Sequence, residues 1–282
     1  MIFDRNEKKE VIALLGAGSM GTAIVRKFAA GRLILLGDIS KENLEKTANT
    51  LIYSGYAVET MIVDAMDKTS VEAFAEKAAS LGPVKYFIDT AGASPNQSGP
   101  EYILKLDMVG TGYAVDAFGK VMAAGGVGLI VSSQTGYMYP IPNDVELEIL
   151  KTPTEKLMKL PIIKDVAMTG SGLAYMIAKR VNQLQAQKAA ATTWKVRRAR
   201  INTISPGVIV TPLAYDEFAA AGDNYQQMID ASAAERTGTS DEIAEAAAFL
   251  LGEHAGFITG TDLLIDGGVI AAIRTGQYKL HG

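Results

Sequence analysis

The sequence predicts an α/β fold of the doubly wound, parallel-sheet (Rossmann) type, and three observations lead there. Short apolar, β-branched runs alternate with longer amphipathic or alanine-rich stretches. A glycine-rich loop joins the first such run to the first helical stretch. The alternation continues along the chain with no clear linker and no internal repeat, so residues 1–282 read as a single domain.

Strands are expected at 11–15, 33–36, 57–63, 85–89, 127–132, 199–204 and 262–265, seven in all. Helices are expected at 20–30, 41–54, 70–81, 100–123, 167–191, 213–233 and 241–251. Nearly continuous apolar strands with helices between them require a sheet covered on both faces. One segment breaks the rhythm. Between 137 and 167 stand Pro140, Pro142, Pro153 and Pro161, which interrupt any long helix. An insertion after a strand's carboxyl end overhangs the crevice where open α/β sheets bind ligands, so it is read as a substrate lid.

Composition narrows the function. Apolar residues make up 48% and charged residues 21%, the balance of an ordinary globular protein with a sizeable core. A net charge of −4 argues against nucleic acid or an anionic membrane as partner. The one basic cluster, Lys195 to Arg200, is short and leads into an apolar run. The chain has no cysteine, which excludes disulfides, zinc–thiolate sites and thiol nucleophiles. Its two histidines, His254 and His281, lack a nearby ligand cluster, so no metal site is expected. There is no secretory signal and no apolar stretch of membrane-spanning length, and a cytoplasmic location is expected.

Two local patterns carry chemistry. Gly16-Ala-Gly18-Ser19-Met20-Gly21 follows a strand and opens a helix, the context in which small residues admit a pyrophosphate to the backbone and to helix N–H groups. Asp38 closes the second strand, where a carboxylate can hydrogen-bond the adenosine ribose and repel the extra phosphate of NADP. NAD is therefore the expected cofactor. Ser40 is the better N-cap for the next helix, which leaves Asp38 for the ribose. The second pattern is Tyr175-Met-Ile-Ala-Lys179. Its phenol and ammonium share one helix face, and the cation favours the phenolate, which suits proton transfer. Alone it is weak, because such spacings arise by chance.

In their order along the chain these pieces resemble the short-chain dehydrogenase/reductase family over nearly the whole length. After the glycine loop and Asp38, Asp64, with Ala65 beside it, falls where the family sets an acidic side chain against the adenine. Asp89-Thr90-Ala91-Gly92 stands at the family's Asn-Asn-Ala-Gly turn. Asp107 stands at its helical Asn. Ser133 matches its active-site serine, and Tyr175 with Lys179 its Tyr-x-x-x-Lys. Pro206-Gly207-Val208-Ile209-Val210-Thr211 resembles the turn that meets the nicotinamide amide and phosphates, and Asp266-Gly267-Gly268 its C-terminal signature.

The resemblance implies Ser133, Tyr175, Lys179 and Asp107 as the catalytic set, NAD as cofactor and a small alcohol or ketone as substrate. It also implies a homodimer or homotetramer through the long helices that begin near 100 and 167. Apolar and aromatic residues at 213–236, among them Tyr215, Phe218, Tyr225 and Met228, point to a bulky, rather apolar substrate. Two departures stand out. The glycine spacing is that of two-domain hydroxyacid dehydrogenases, though no second helical domain is legible. Asp107 in place of Asn puts an anion beside Lys179, which bears on the proton relay that the family builds there. An alternative reading keeps nucleotide binding but makes the protein a redox-sensing or scaffolding protein with little turnover.

Overall fold

The structure, a computed structural model, describes residues 9–211, 214 and 223–279. The elements in order are β1 (Val11–Leu15), α1 (Ser19–Arg26), β2 (Leu33–Asp38), α2 (Lys41–Tyr53), β3 (Ala57–Ile62), α3 (Lys68–Leu81) and β4 (Val84–Asp89). Then come α4 (Pro100–Ile103), a π-helical segment (Leu104–Gly110), α5 (Thr111–Val121) and β5 (Met122–Val131). The segment after β5 holds α6 (Asn143–Lys151) and α7 (Pro161–Thr169), and α8 (Ser171–Ala191) and α9 (Thr193–Val196) follow. The chain closes with β6 (Arg200–Pro206), β7 (Ile209–Val210), α10 (Asp223–Ala231), β8 (Gly238–Thr239), α11 (Ser240–Leu251), β9 (Asp262–Ile265) and α12 (Val269–Arg274).

Seven parallel strands form one sheet in the order β3-β2-β1-β4-β5-β6-β9, with β7 and β8 as a separate parallel pair. The order reverses between β1 and β4, which opens a crevice beyond their carboxyl ends. β1 shows why the sheet is buried on both faces. Its five residues, Val-Ile-Ala-Leu-Leu, are all buried; Val11, Ala13 and Leu15 enter one core, and Ile12 and Leu14 the other. The period-2 alternation of side chains therefore feeds two helical layers.

The first core centres on aromatic rings. Phe87 of β4 stacks on Phe118 of α5 with centroids 3.9 Å apart, and Trp194 of α9 packs beside them at 6.5 Å from Phe87. Trp194 is fully buried, and its indole N–H donates to the Val115 carbonyl at 3.1 Å. Gly128 of β5 lies directly under the indole, where a Cβ would collide with the ring.

Three of the expected helices differ in kind or extent from the sequence reading. The helix expected over 100–123 is helical to Val121 but is π-helical from Leu104 to Gly110. There Asn182 and Gln185 of α8 donate side-chain N–H groups to the Asp107 and Met108 carbonyls, at 2.6 and 2.8 Å. These carbonyls therefore have partners outside the local helix ladder. The helix expected over 167–191 is two helices parted at Gly170, whose φ of 154° and ψ of 166° are reached by glycine almost alone. Of the helix expected over 213–233, residues 213 and 215–222, with Tyr215 and Phe218, lie outside the described residues; α10 is its second half.

Residues 137–167 pack on the outer side of the α4–α8 layer. Ile149, Leu157, Leu160, Ile163 and Val166 share a core with Ile103, Met108, Ala174, Ile177 and Val181. Of this segment only Met138 reaches the wall of the large crevice described below. The segment thus covers part of the two helices through which the resemblance implied subunit pairing. Among the described residues no helix is long and apolar enough to cross a membrane.

Replacing Trp194 with Ala removes the indole over Gly128 and its hydrogen bond. The expected loss is about 3–5 kcal/mol, read from urea unfolding monitored by far-UV circular dichroism.

Candidate active site

A single cavity of about 1820 Å³ runs across the carboxyl ends of the strands. That is well above the roughly 300–1,000 Å³ of a pocket for one small ligand. The glycine loop and Asp38 line one end, and Ser133, Tyr175 and Lys179 line the other.

At the glycine end, the backbone needs glycine for reasons that differ by position. Gly16 has φ +95°, and a Cβ there would stand 2.7 Å from the Ala91 nitrogen. A Cβ on Gly21 would meet the Thr90 hydroxyl at 2.7 Å and Leu14 at 2.8 Å. Thr90 ties the loop down through its hydroxyl, which donates to the Gly16 carbonyl at 3.0 Å. Gly18 is different: it is the N-cap of α1 with ordinary φ and ψ, no side-chain cap serves the helix, and nothing lies within 4 Å of where its Cβ would be. The space over Gly18 is an open cradle beneath uncapped helix N–H groups, which suits a pyrophosphate.

Asp38 stands beside that cradle, half-buried, with both oxygens already engaged. One accepts the Ala17 N–H and the other the Ser40 N–H, each at 2.8 Å. Ser40 also caps α2, accepting from the Asn43 N–H at 3.2 Å. Each carboxylate oxygen keeps a second lone pair, so Asp38 can still accept from ribose hydroxyls. Asp64 bends the chain after β3 by accepting the Met66 N–H at 2.9 Å, and it lines the cavity with Ala65.

At the other end, α8 carries the phenol and the ammonium. Tyr175 is partly buried on the cavity wall, and the Lys179 Nζ lies 5.2 Å from its ring centroid. Ser133 follows the end of β5 as the cap of a short 3₁₀ turn, and its oxygen accepts the Thr135 N–H at 3.2 Å. That interaction occupies the hydroxyl oxygen and not its proton, which can be donated to a ligand in the cavity. Ser132 locks the strand to the helix by donating to the Lys179 carbonyl at 2.8 Å. Pro206, Gly207, Val208 and Thr211 also line the cavity. Gly207 sits where a Cβ would approach the Asp266 backbone to 2.7 Å, while Asp266 caps α12 by accepting the Gly268 and Ile270 N–H groups.

Asp107 lies behind the wall, fully buried. Its Oδ2 pairs with the Lys179 Nζ at 3.0 Å, and its Oδ1 accepts the Ala93 N–H at 2.8 Å. Burial disfavours the ammonium, but the Asp107 and Tyr175 charges outweigh it and hold the Lys179 pKa above its ordinary value. Asp89, which the sequence reading placed only in a turn, is a second buried carboxyl facing the same ammonium. One oxygen accepts the Ala91 N–H at 3.0 Å, and the Thr111 hydroxyl also faces the carboxyl. Burial, assisted by the Asp107 charge, pushes its pKa up to about 7, against the Ala91 N–H and Lys179. Burial also raises Asp107, against the pull of Lys179. The signal available in the sequence was the pair of aspartates at two positions where the resembled family has asparagine. Among the described residues no cluster of three potential metal ligands occurs.

Comparison with known proteins shows the family of the chain. Over 266 residues the chain is 37% identical to the short-chain dehydrogenase/reductase bsc3 of Alternaria brassicicola, covering 93% of this chain and 96% of that one. The chain belongs to the short-chain dehydrogenase/reductase family. Residues 157–270 match a family model described as Enoyl-(Acyl carrier protein) reductase. Galactitol 2-dehydrogenase (L-tagatose-forming) of Cereibacter sphaeroides is 28% identical over 266 residues, covering 91% and 93% of the two chains. The crystal structure of levodione reductase shares the fold with a TM-score of 0.75 at 23% identity, covering 95% of this chain and all of that one. As a family member the protein is an oxidoreductase that uses a nicotinamide dinucleotide, and the open cradle at Gly18 fits the pyrophosphate of such a group.

Gly18→Val tests that fit, because the new side chain enters empty space. Stability is expected to stay within about 0.5 kcal/mol of the parent, while NADH affinity, measured by fluorescence titration, falls at least ~10-fold as the side chain fills the cradle.

Proposed function

We propose that the protein interconverts a secondary alcohol and a ketone with NAD(H), with Tyr175 as the general acid and base. One observation carries this reading: Ser133 and, 42 residues later in the chain, the helical pair Tyr175 and Lys179 line the same cavity as the glycine loop and Asp38. The bound dinucleotide supplies the hydride acceptor or donor. The protein's own groups handle the proton and the position of the substrate.

In reduction the substrate oxygen gains negative charge. Ser133 donates a hydrogen bond to that oxygen, and Tyr175 delivers a proton to it. In oxidation Tyr175 withdraws the hydroxyl proton. Lys179 stabilises the phenolate from 5.2 Å below the ring, as a cation kept charged by Asp107. The cavity lining also includes Tyr102, Met138 and Met228 together with Ser94, Asn96 and Gln134. Apolar surface is thus interleaved with polar groups, which accommodates a hydroxylated carbon skeleton as readily as a plain cyclic ketone. The likeness to galactitol 2-dehydrogenase supports an alcohol with further hydroxyls.

NAD is the preferred cofactor because Asp38 projects its charge at the place where NADP would bring a phosphate. The surface covered by residues 137–167 removes part of the α4–α8 face from subunit contact, so a homodimer or homotetramer would assemble around that segment.

Tyr175→Phe is expected to lower kcat by ~10²–10⁴ with NADH affinity largely retained. A panel of polyols and ketones assayed at 340 nm checks it, and a parent protein that binds NADH yet turns over none of them would favour the redox-sensing or scaffolding alternative. Asp38→Ala is expected to erode the preference for NAD over NADP by about tenfold or more, measured as the ratio of the two kcat/KM values.

A further inference from the structure

Behind the wall that holds Lys179, three ionisable groups lie buried close together. Asp107 is fully buried, Lys179 nearly so, and Asp89 is 2% exposed. They come from three elements: Asp89 from the end of β4, Asp107 from the π-helical segment and Lys179 from α8. Gly92 packs against the ion pair. A Cβ there would lie 3.2 Å from the Asp107 Oδ2 and 3.3 Å from the Lys179 Nζ, so no larger side chain separates the cluster from the cavity that Gly92 and Lys179 both line. The other groups facing Asp89 are the Ala91 N–H and the Thr111 hydroxyl, and Tyr175 faces Lys179 on the cavity side. Two buried carboxyls thus stand against one ammonium.

We propose that Asp89, Asp107 and Lys179 form a buried cluster that holds one exchangeable proton between its two carboxylates, and that losing this proton favours the oxidised, cationic nicotinamide over the reduced, neutral one. The inference rests on the proposed binding of NAD(H) in this cavity. The charge count is simple. With the proton retained, one ammonium and one carboxylate cancel. With it released, the cluster carries one net negative charge in a region of low dielectric. The adenosine, pyrophosphate and ribose are common to both nucleotides, so their contributions cancel in the ratio of affinities. The charge on the nicotinamide ring does not cancel. Direction follows from linkage: binding of the oxidised nucleotide releases a proton, and so tightens relative to the reduced one as pH rises. The proton belongs to the carboxylate pair and needs no assignment to either residue. Burial of both carboxyls, with Asp89 pushed up to about 7, puts the change near neutrality.

Kd values for NAD⁺ and NADH, measured by calorimetry and fluorescence from pH 6 to 8.5, test this directly. The ratio Kd(NAD⁺)/Kd(NADH) is expected to fall by roughly three- to tenfold across that range in the parent protein. Asp89→Asn and Asp107→Asn each leave one carboxylate for one ammonium, and each is expected to flatten the ratio. Either variant suffices if the other fails to fold. A ratio independent of pH in the parent, or the same slope retained in a folded variant, overturns the inference while leaving NAD(H) binding intact. Failure of the parent to bind either nucleotide overturns the proposed function itself.

Discussion

The contact between Asp107 and Lys179 governs the geometry of this site. Two opposite charges 3.0 Å apart, both removed from water, attract strongly but carry a desolvation cost of several kcal/mol each. The balance holds because the Asp107 carboxylate is also fixed by the Ala93 N–H. It thereby joins the loop after β4, the π-helical segment and α8 at one point. Removing either partner leaves a buried charge alone, so the arrangement resists partial disassembly. The same contact decides where the ammonium lies beneath the Tyr175 ring. Fold and chemistry meet in that one lysine.

Topology explains why these groups face a nucleotide cradle at all. The strand order reverses between β1 and β4, and the loops leaving them part to form the crevice. Gly16 leaves β1 there and Thr90 leaves β4, and the Thr90 hydroxyl binds the Gly16 carbonyl across the gap. Parallel strands deliver all their following loops to one end of the sheet. Asp38 at the end of β2, Asp64 after β3, Ser133 after β5 and Pro206 at the end of β6 therefore arrive on the same rim. A polar constellation assembled from six strand ends is the direct outcome of parallel pairing with helical crossovers.

What could be read in advance divides along physical lines. The β1 and β2 runs, Val-Ile-Ala-Leu-Leu and Leu-Ile-Leu-Leu, are legible because a strand buried on both faces needs apolar residues at every position. The glycine loop is legible because steric demands at Gly16 and Gly21 admit one residue type. The π-helical turn is not, since its deciding partners, Asn182 and Gln185, stand far away in sequence. The placement of residues 137–167 is not legible either. Their apolar residues announce that one face is buried, but a crevice rim and a helix flank offer the same kind of surface. The burial of Asp89 is not legible for a related reason: a carboxyl in a turn has the same sequence pattern whether solvated or enclosed.

That placement bears on how the Tyr175 phenol is held. Tyr175 packs against the same core that takes in Ile149, Leu157, Ile163 and Val166 from the segment after β5. In front, Ser132 binds the helix backbone at the Lys179 carbonyl, and Gln183 donates to Ser205 of β6 at 3.1 Å. On the outer side, Arg180 pairs with Glu146 of α6 at 2.7 Å. α8 is therefore clamped between the sheet and its own inserted segment, and the clamp spans the turn that carries both Tyr175 and Lys179. Proton transfer demands sub-ångström constancy between donor and acceptor, and rigid helices buttressed on two sides provide it better than loops. The segment that the sequence suggested as a lid packs against the helix that carries the phenol and reaches the cavity wall only at Met138.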